Sequence, residues 1–143
     1  MTAKDYLKQY EEAVRKESRH RAEYEKECQL IDSIKSSLGG DGMPHGSGIS
    51  RKVEDQAIRL ADKALEWKMA ELDALHTRQE VYRLISRVPG VEGDVLYEKY
   101  IKFRTWEEIA SDLCYSVRGI QYVHKRALLM VEEILLNSFH CIA

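Results

Sequence analysis

Ser116, Arg118, Gln121, Tyr122, Lys125 and Arg126 carry the chain's most specific chemistry. On a helix, positions 118, 121, 122 and 125 share one face, because residues three and four apart stack on successive turns. An arginine on that face can donate two hydrogen bonds to a guanine edge, and a glutamine can pair with adenine. Lysine and tyrosine suit phosphates, which position a protein on duplex DNA without reading it. Arg126 lies toward one edge of the face. Ser116 precedes the helix, where free N–H groups favour a phosphate.

Two short helices must position these side chains. Thr105 can cap the first, with Glu108 three residues on completing a capping box. Asp112-Leu-Cys-Tyr115 ends it, and Ser116 caps a second that runs to about Asn137. Crossing helices need a small residue where they meet, and Ala110 stands there with Ile109 and Leu113 facing inward. Ile120, Val123, Ala127, Val131 and Ile134 continue the buried face. That layout is a helix-turn-helix, whose second helix enters the major groove.

Thr105-Trp-Glu-Glu-Ile-Ala110 and Lys125-Arg-Ala-Leu128 resemble region 4 of the bacterial sigma-70 factors. The whole chain resembles small phage and prophage sigma-like transcriptional regulators of Gram-positive bacteria, akin to the ArpU and RinA late-gene activators. The resemblance rests on a long N-terminal helix, the loop Asp41-Gly-Met-Pro-His-Gly-Ser-Gly48, and Leu96-Tyr-Glu-Lys-Tyr-Ile101 leading into the motif. It implies sequence-specific binding of double-stranded DNA to control transcription, with Arg118, Gln121, Tyr122 and Lys125 facing the DNA. It also implies RNA polymerase as a further partner. Two positions depart from the family pattern. Cys114 occupies a turn where glycine is usual, and Gly119 sits early in the recognition helix, removing one side chain from the groove.

Upstream, Leu7, Tyr10, Val14, Tyr24, Cys28, Ile31 and Leu38 recur at coiled-coil-like spacing over about Lys4 to Leu38. Five glycines and a proline between Gly39 and Gly48 then break the helix. A second long helix is expected from about Ser50 to Val88. Ile58, Ala61, Leu65, Leu72, Leu75, Tyr82 and Ile85 mark one face of it, with Trp67 and Met69 beside it. Matching lengths predict an antiparallel hairpin that buries both stripes against each other. A homodimer seam is the alternative use of the N-terminal stripe. Phe139 and Ile142 could pack back or bury between protomers. Pro89-Gly90 ends the second helix, and a short one follows through Val95, Leu96, Tyr100 and Ile101.

The expected fold is therefore all-α. A long antiparallel helical hairpin (1–90, with a glycine-rich loop at 39–49) precedes a helix-turn-helix domain (91–143). Composition agrees, with 32% charged residues and two prolines. No apolar run reaches the roughly 20 residues that span a bilayer, and the N-terminus lacks a signal core. A cytoplasmic protein without membrane contact is expected. Three widely spaced cysteines read as reduced, mostly buried thiols rather than a zinc site. His45 has no partner at metal spacing, and His20, His76 and His124 suit surface or packing roles. No nucleophile motif or phosphate loop is present, so neither an enzyme nor a cofactor is expected.

Charge weighs against strong DNA binding. The net charge is −2, and from Asp94 onward six Lys/Arg face seven Asp/Glu. Phosphate affinity scales with cations supplied, so one copy would bind weakly and need a dimer or polymerase beside it. The competing expectation is a non-enzymatic oligomeric adaptor, such as a phage assembly or DNA-packaging component.

Overall fold

A computed structural model describes residues 1–38 and 47–141, with side chains described outside 37–38 and 47–50. The chain is all-α. The described residues form five helices: α1 (Ala3–Leu38), α2 (Ser47–Ile85), α3 (Gly90–Tyr100), α4 (Trp106–Leu113) and α5 (Val117–His140). The expected loop at 39–49 lies outside the described residues up to position 46, and its last three residues already belong to α2. No described helix is long and apolar enough to cross a membrane.

Two compact units divide the chain within α1 and α2: Met1–Ala13 with Ala74–Ala143, and Val14–Asp73. The first unit draws in both helix ends because they complete its core. Ala3 and Leu7 of α1, and Val81, Leu84 and Ile85 of α2, join Leu96, Tyr100, Ala127 and Val131 in one buried cluster. A second cluster, Val95, Ile109, Ala110, Ile120 and Val123, ties α3, α4 and α5 together. Gly93 permits the tight entry to α3: a Cβ there would lie 2.2 Å from the Val88 carbonyl oxygen.

Within the other unit, side-chain partners on α1 and α2 run in opposite order. The Trp67 indole N–H donates to Glu17 at 2.7 Å, Lys63 donates to Glu23 at 3.0 Å, and Gln56 donates to Glu27. The Tyr24 ring centroid lies 5.2 Å from that of Trp67. As numbers rise on α1 they fall on α2, so these segments are antiparallel.

The α1 stripe follows its spacing over the described side chains: Leu7 is fully buried, and Tyr10, Val14, Tyr24, Cys28 and Ile31 are half-buried, while the Leu38 side chain lies outside the described residues. The α2 stripe does not. Ile58, Leu65, Met69, Leu72 and Leu75 are all more than half exposed, and Tyr82 nearly so; only Ile85 is buried. The face of α2 turned inward carries Gln56, Lys63, Trp67 and Ala70 instead. The physical reason lies on α1. Its facing residues include the half-buried Glu17 and Glu27, which need hydrogen-bond donors, and a burial of Ile58 or Leu65 against them would strand carboxylates. Of the three thiols expected to be mostly buried, Cys28 is half-buried but Cys114 and Cys141 are exposed.

Candidate nucleic-acid interface

Local sequence builds the α4–turn–α5 segment. Thr105 Oγ1 accepts from the Glu108 N–H at 3.3 Å, and Glu108 Oε2 accepts from the Thr105 N–H at 3.2 Å, so both halves of the capping box form. α4 ends at Cys114, which adopts the left-handed conformation (φ 59°, ψ 40°) usually taken by glycine. Its strain is held by the turn: the Cys114 N–H reaches Ala110 and Ser111 carbonyls, and the Tyr115 N–H donates to the Ala110 carbonyl at 2.9 Å. Ser116 then caps α5, its Oγ accepting from the Gly119 N–H at 3.0 Å. A Cβ on Gly119 would sit 3.1 Å from that oxygen, so the glycine gives the cap its room.

The hydrophobic contacts between α4 and α5 follow the expected pattern. Ile109 and Ile120 are fully buried, Ala110, Val123 and Ala127 are buried, and Leu113 packs against the cluster. His124 interrupts this apolar face. Its Nε2 is 2.7 Å from the Tyr100 hydroxyl, and its ring meets Trp106 edge-on at 4.8 Å between centroids. Burial, then Lys4 and Lys99, push its pKa down to about 4. Burial and the charge of Glu11 raise Tyr100 to about 12. The phenol therefore keeps its proton and donates to a neutral imidazole.

Arg104 braces the turn between α3 and α4. It ion-pairs with Glu98 at 2.9 Å, with Glu108 at 3.7 Å, and with Asp112. Its hydrogen bonds donated to the Asp112 and Glu98 carboxylates hold its guanidinium firmly protonated. Lys102 also pairs with Glu98, and Lys99 sits over the Trp106 ring at 4.5 Å.

Ser116, Arg118, Gln121, Tyr122, Lys125 and Arg126 are all exposed. Arg118, Gln121, Tyr122 and Lys125 share the outward face of α5, opposite Ile120, Val123, His124 and Ala127. Arg126 is otherwise engaged: it ion-pairs with the buried Glu92 of α3 and lies 5.8 Å from the Tyr122 ring. A hydrogen bond within Glu92 and the Arg126 guanidinium hold that carboxyl below the usual range. Ser116 spends its oxygen on the cap. Of the six cations after Asp94, only Arg118 and Lys125 make no side-chain contact with an acid or ring among the described residues.

Sequence spacing missed Arg104, Glu92 and the Tyr100–His124 pair. Two signals were present: Arg104 stands four residues before Glu108, and His124 falls one turn from Ile120 on the apolar face. Elsewhere, ligand atoms of His20, Glu23 and Glu66 lie within 4.8 Å of one another. Lys63 already bridges both carboxylates at 3.0 and 3.3 Å, which makes this an ion-pair cluster.

No family model, curated protein or solved structure matches the chain.

Proposed function

We propose that the chain is a sequence-specific DNA-binding transcription regulator of the phage or prophage type. In this reading α1 and α2 form a helical hairpin, α4 and α5 form a helix-turn-helix, and the outward face of α5 enters the major groove. One observation carries it. Arg118 and Lys125, two turns apart, are the cations without an acid or ring partner among the described residues, in a region whose other basic groups are held by acids or rings. Gln121 and Tyr122 lie between them on the same face. Unpaired cations are ordinary on a solvated helix, but phosphates and guanine edges require free donors, and this face supplies two beside Gln121 and Tyr122.

Two free cations also limit the electrostatics. Each head would neutralise about two phosphates, so its binding should fall with salt at a log–log slope near −2. Weak single-copy binding fits an assembly in which RNA polymerase or a second copy raises effective concentration. A second reading, a non-enzymatic oligomeric adaptor, is favoured by the exposed apolar face of α2.

Selection from random duplex DNA separates the two. Enrichment of a defined site, lost in Arg118→Ala/Lys125→Ala with helicity unchanged, is the expected result. Absence of enrichment at low salt, both alone and with RNA polymerase, would leave the adaptor reading standing.

A further inference from the structure

We propose that the groove between the start of α1, the end of α2 and the last turns of α5 docks an amphipathic helix of another protein, one carrying bulky apolar anchors flanked by lysine or arginine. The inference goes beyond the proposed DNA contact and does not depend on it.

The groove holds about 610 Å³, and every residue lining it belongs to one compact unit. Its floor is apolar because it overlies the larger core cluster: Ala3 is buried, and Tyr6 and Leu135 are half-buried against that cluster. Its rim is apolar as well, with Leu136 62% and Phe139 70% exposed. Single exposed apolar residues are ordinary, but two of them bordering an apolar groove make a continuous patch of the kind that marks an interaction site. The length of the groove selects the form of the occupant. Glu132, Leu135, Leu136 and Phe139 line it at spacings of three, four and seven along α5. That wall is two turns long, about 10 Å at 1.5 Å per residue. A helix docked in a groove presents anchors at i, i+3 or i+4, and i+7 over the same distance.

Charge selects the composition of the occupant. The charged side chains lining the groove are Glu80 and Glu132, and no basic side chain joins them. Glu132 makes no ion pair among the described residues, and Glu80 reaches the exposed His76 at 3.8 Å. Burial, then the charge of Glu80, raise the Tyr6 phenol above its ordinary pKa, so the field of that carboxylate reaches the groove floor. Two carboxylates repel phosphates, which suits the groove neither to nucleic acid nor to an anionic membrane. A second copy offering the same face would bring Glu80 and Glu132 against Glu80 and Glu132, with no cation to meet them. A helix with lysine or arginine beside its apolar anchors answers both the shape and the charge.

The probe is a displayed library of helical peptides of about 16 residues, long enough to hold a helix, selected on the full chain. Enriched peptides should carry apolar residues at i, i+3 or i+4, and i+7, flanked by lysine or arginine. Fluorescence anisotropy with the best of them should show roughly tenfold weaker binding to Leu136→Ala/Phe139→Ala. Far-ultraviolet circular dichroism of that variant should match wild type, because both side chains are exposed. Glu80→Lys/Glu132→Lys should weaken the cationic peptide roughly tenfold and favour its glutamate-for-lysine analogue. Glu25→Lys/Asp62→Lys makes the same change in net charge at two exposed acids outside the groove and should leave the preference as it was. Absence of enrichment, enrichment of acidic peptides, binding untouched by Leu136→Ala/Phe139→Ala, or equal effects of the two lysine variants would each overturn the proposal. So would sedimentation equilibrium showing a wild-type dimer that Leu136→Ala/Phe139→Ala dissociates, since a second copy would then fill the groove.

Discussion

The Tyr100 hydroxyl donates to Nε2 of His124 across 2.7 Å, joining α3 to α5 inside the core. The hydrogen bond needs a neutral imidazole, and burial supplies one by lowering the His124 pKa from 6.5 to about 4. The consequence for stability has a definite sign. Between pH 6.5 and 4 the unfolded chain binds a proton that the folded chain refuses. The contribution is therefore complete above pH 6.5, declines as pH falls, and levels off below 4. Urea unfolding of wild type and His124→Gln should show a stability difference that shrinks in wild type's disfavour across that window. Parallel pH curves for the two proteins would contradict it. Tyr100→Phe should cost about 1–3 kcal/mol at pH 7 by leaving the buried nitrogen without a donor.

Gly93 should resist even the smallest substitution. Alanine favours helices over glycine by about 1 kcal/mol, yet its Cβ would lie 2.2 Å from the Val88 carbonyl oxygen. That oxygen is backbone and cannot swing aside, so α3 must move and loosen Val95 and Leu96. Gly93→Ala should destabilise by about 3 kcal/mol. A melting temperature equal to or above wild type would show that the entry to α3 has slack.

Arg126 and Arg118 should separate stability from the proposed DNA contact. Arg126 is the partner of Glu92, which is only 8% exposed. Arg126→Ala should lower stability by about 1 kcal/mol, and the loss should vanish in a Glu92→Gln background. Arg118 has no tertiary partner among the described residues, so Arg118→Ala should unfold within about 0.5 kcal/mol of wild type. Equal thermal shifts for the two variants would refute the division of roles.

Much of the α4–α5 segment was legible because its signals are local. Thr105 and Glu108 specify a cap within three residues, Ser116 another, and the spacing of Ile109, Ala110, Ile120, Val123 and Ala127 specifies the face that meets the core. Such features depend on neighbours along the chain, and helical periodicity carries them faithfully. Cys114 shows the limit of residue preference: the turn takes its left-handed conformation without glycine, held by bonds to Ala110 and Ser111.

What the sequence by itself determined was the all-α class, the caps of α4 and α5, and which residues of α5 point outward. Only the tertiary structure decided the partners. It turned the apolar row from Ile58 to Tyr82 to the outside, because the facing side of α1 presents glutamates that Gln56, Lys63 and Trp67 can satisfy. It also assigned Arg126 to Glu92, 34 residues away, while leaving Arg118 and Lys125 without an acid or ring partner among the described residues. Periodicity measures how apolar a face is. Which face is buried depends on what the opposing helix offers, and that is a property of the pair.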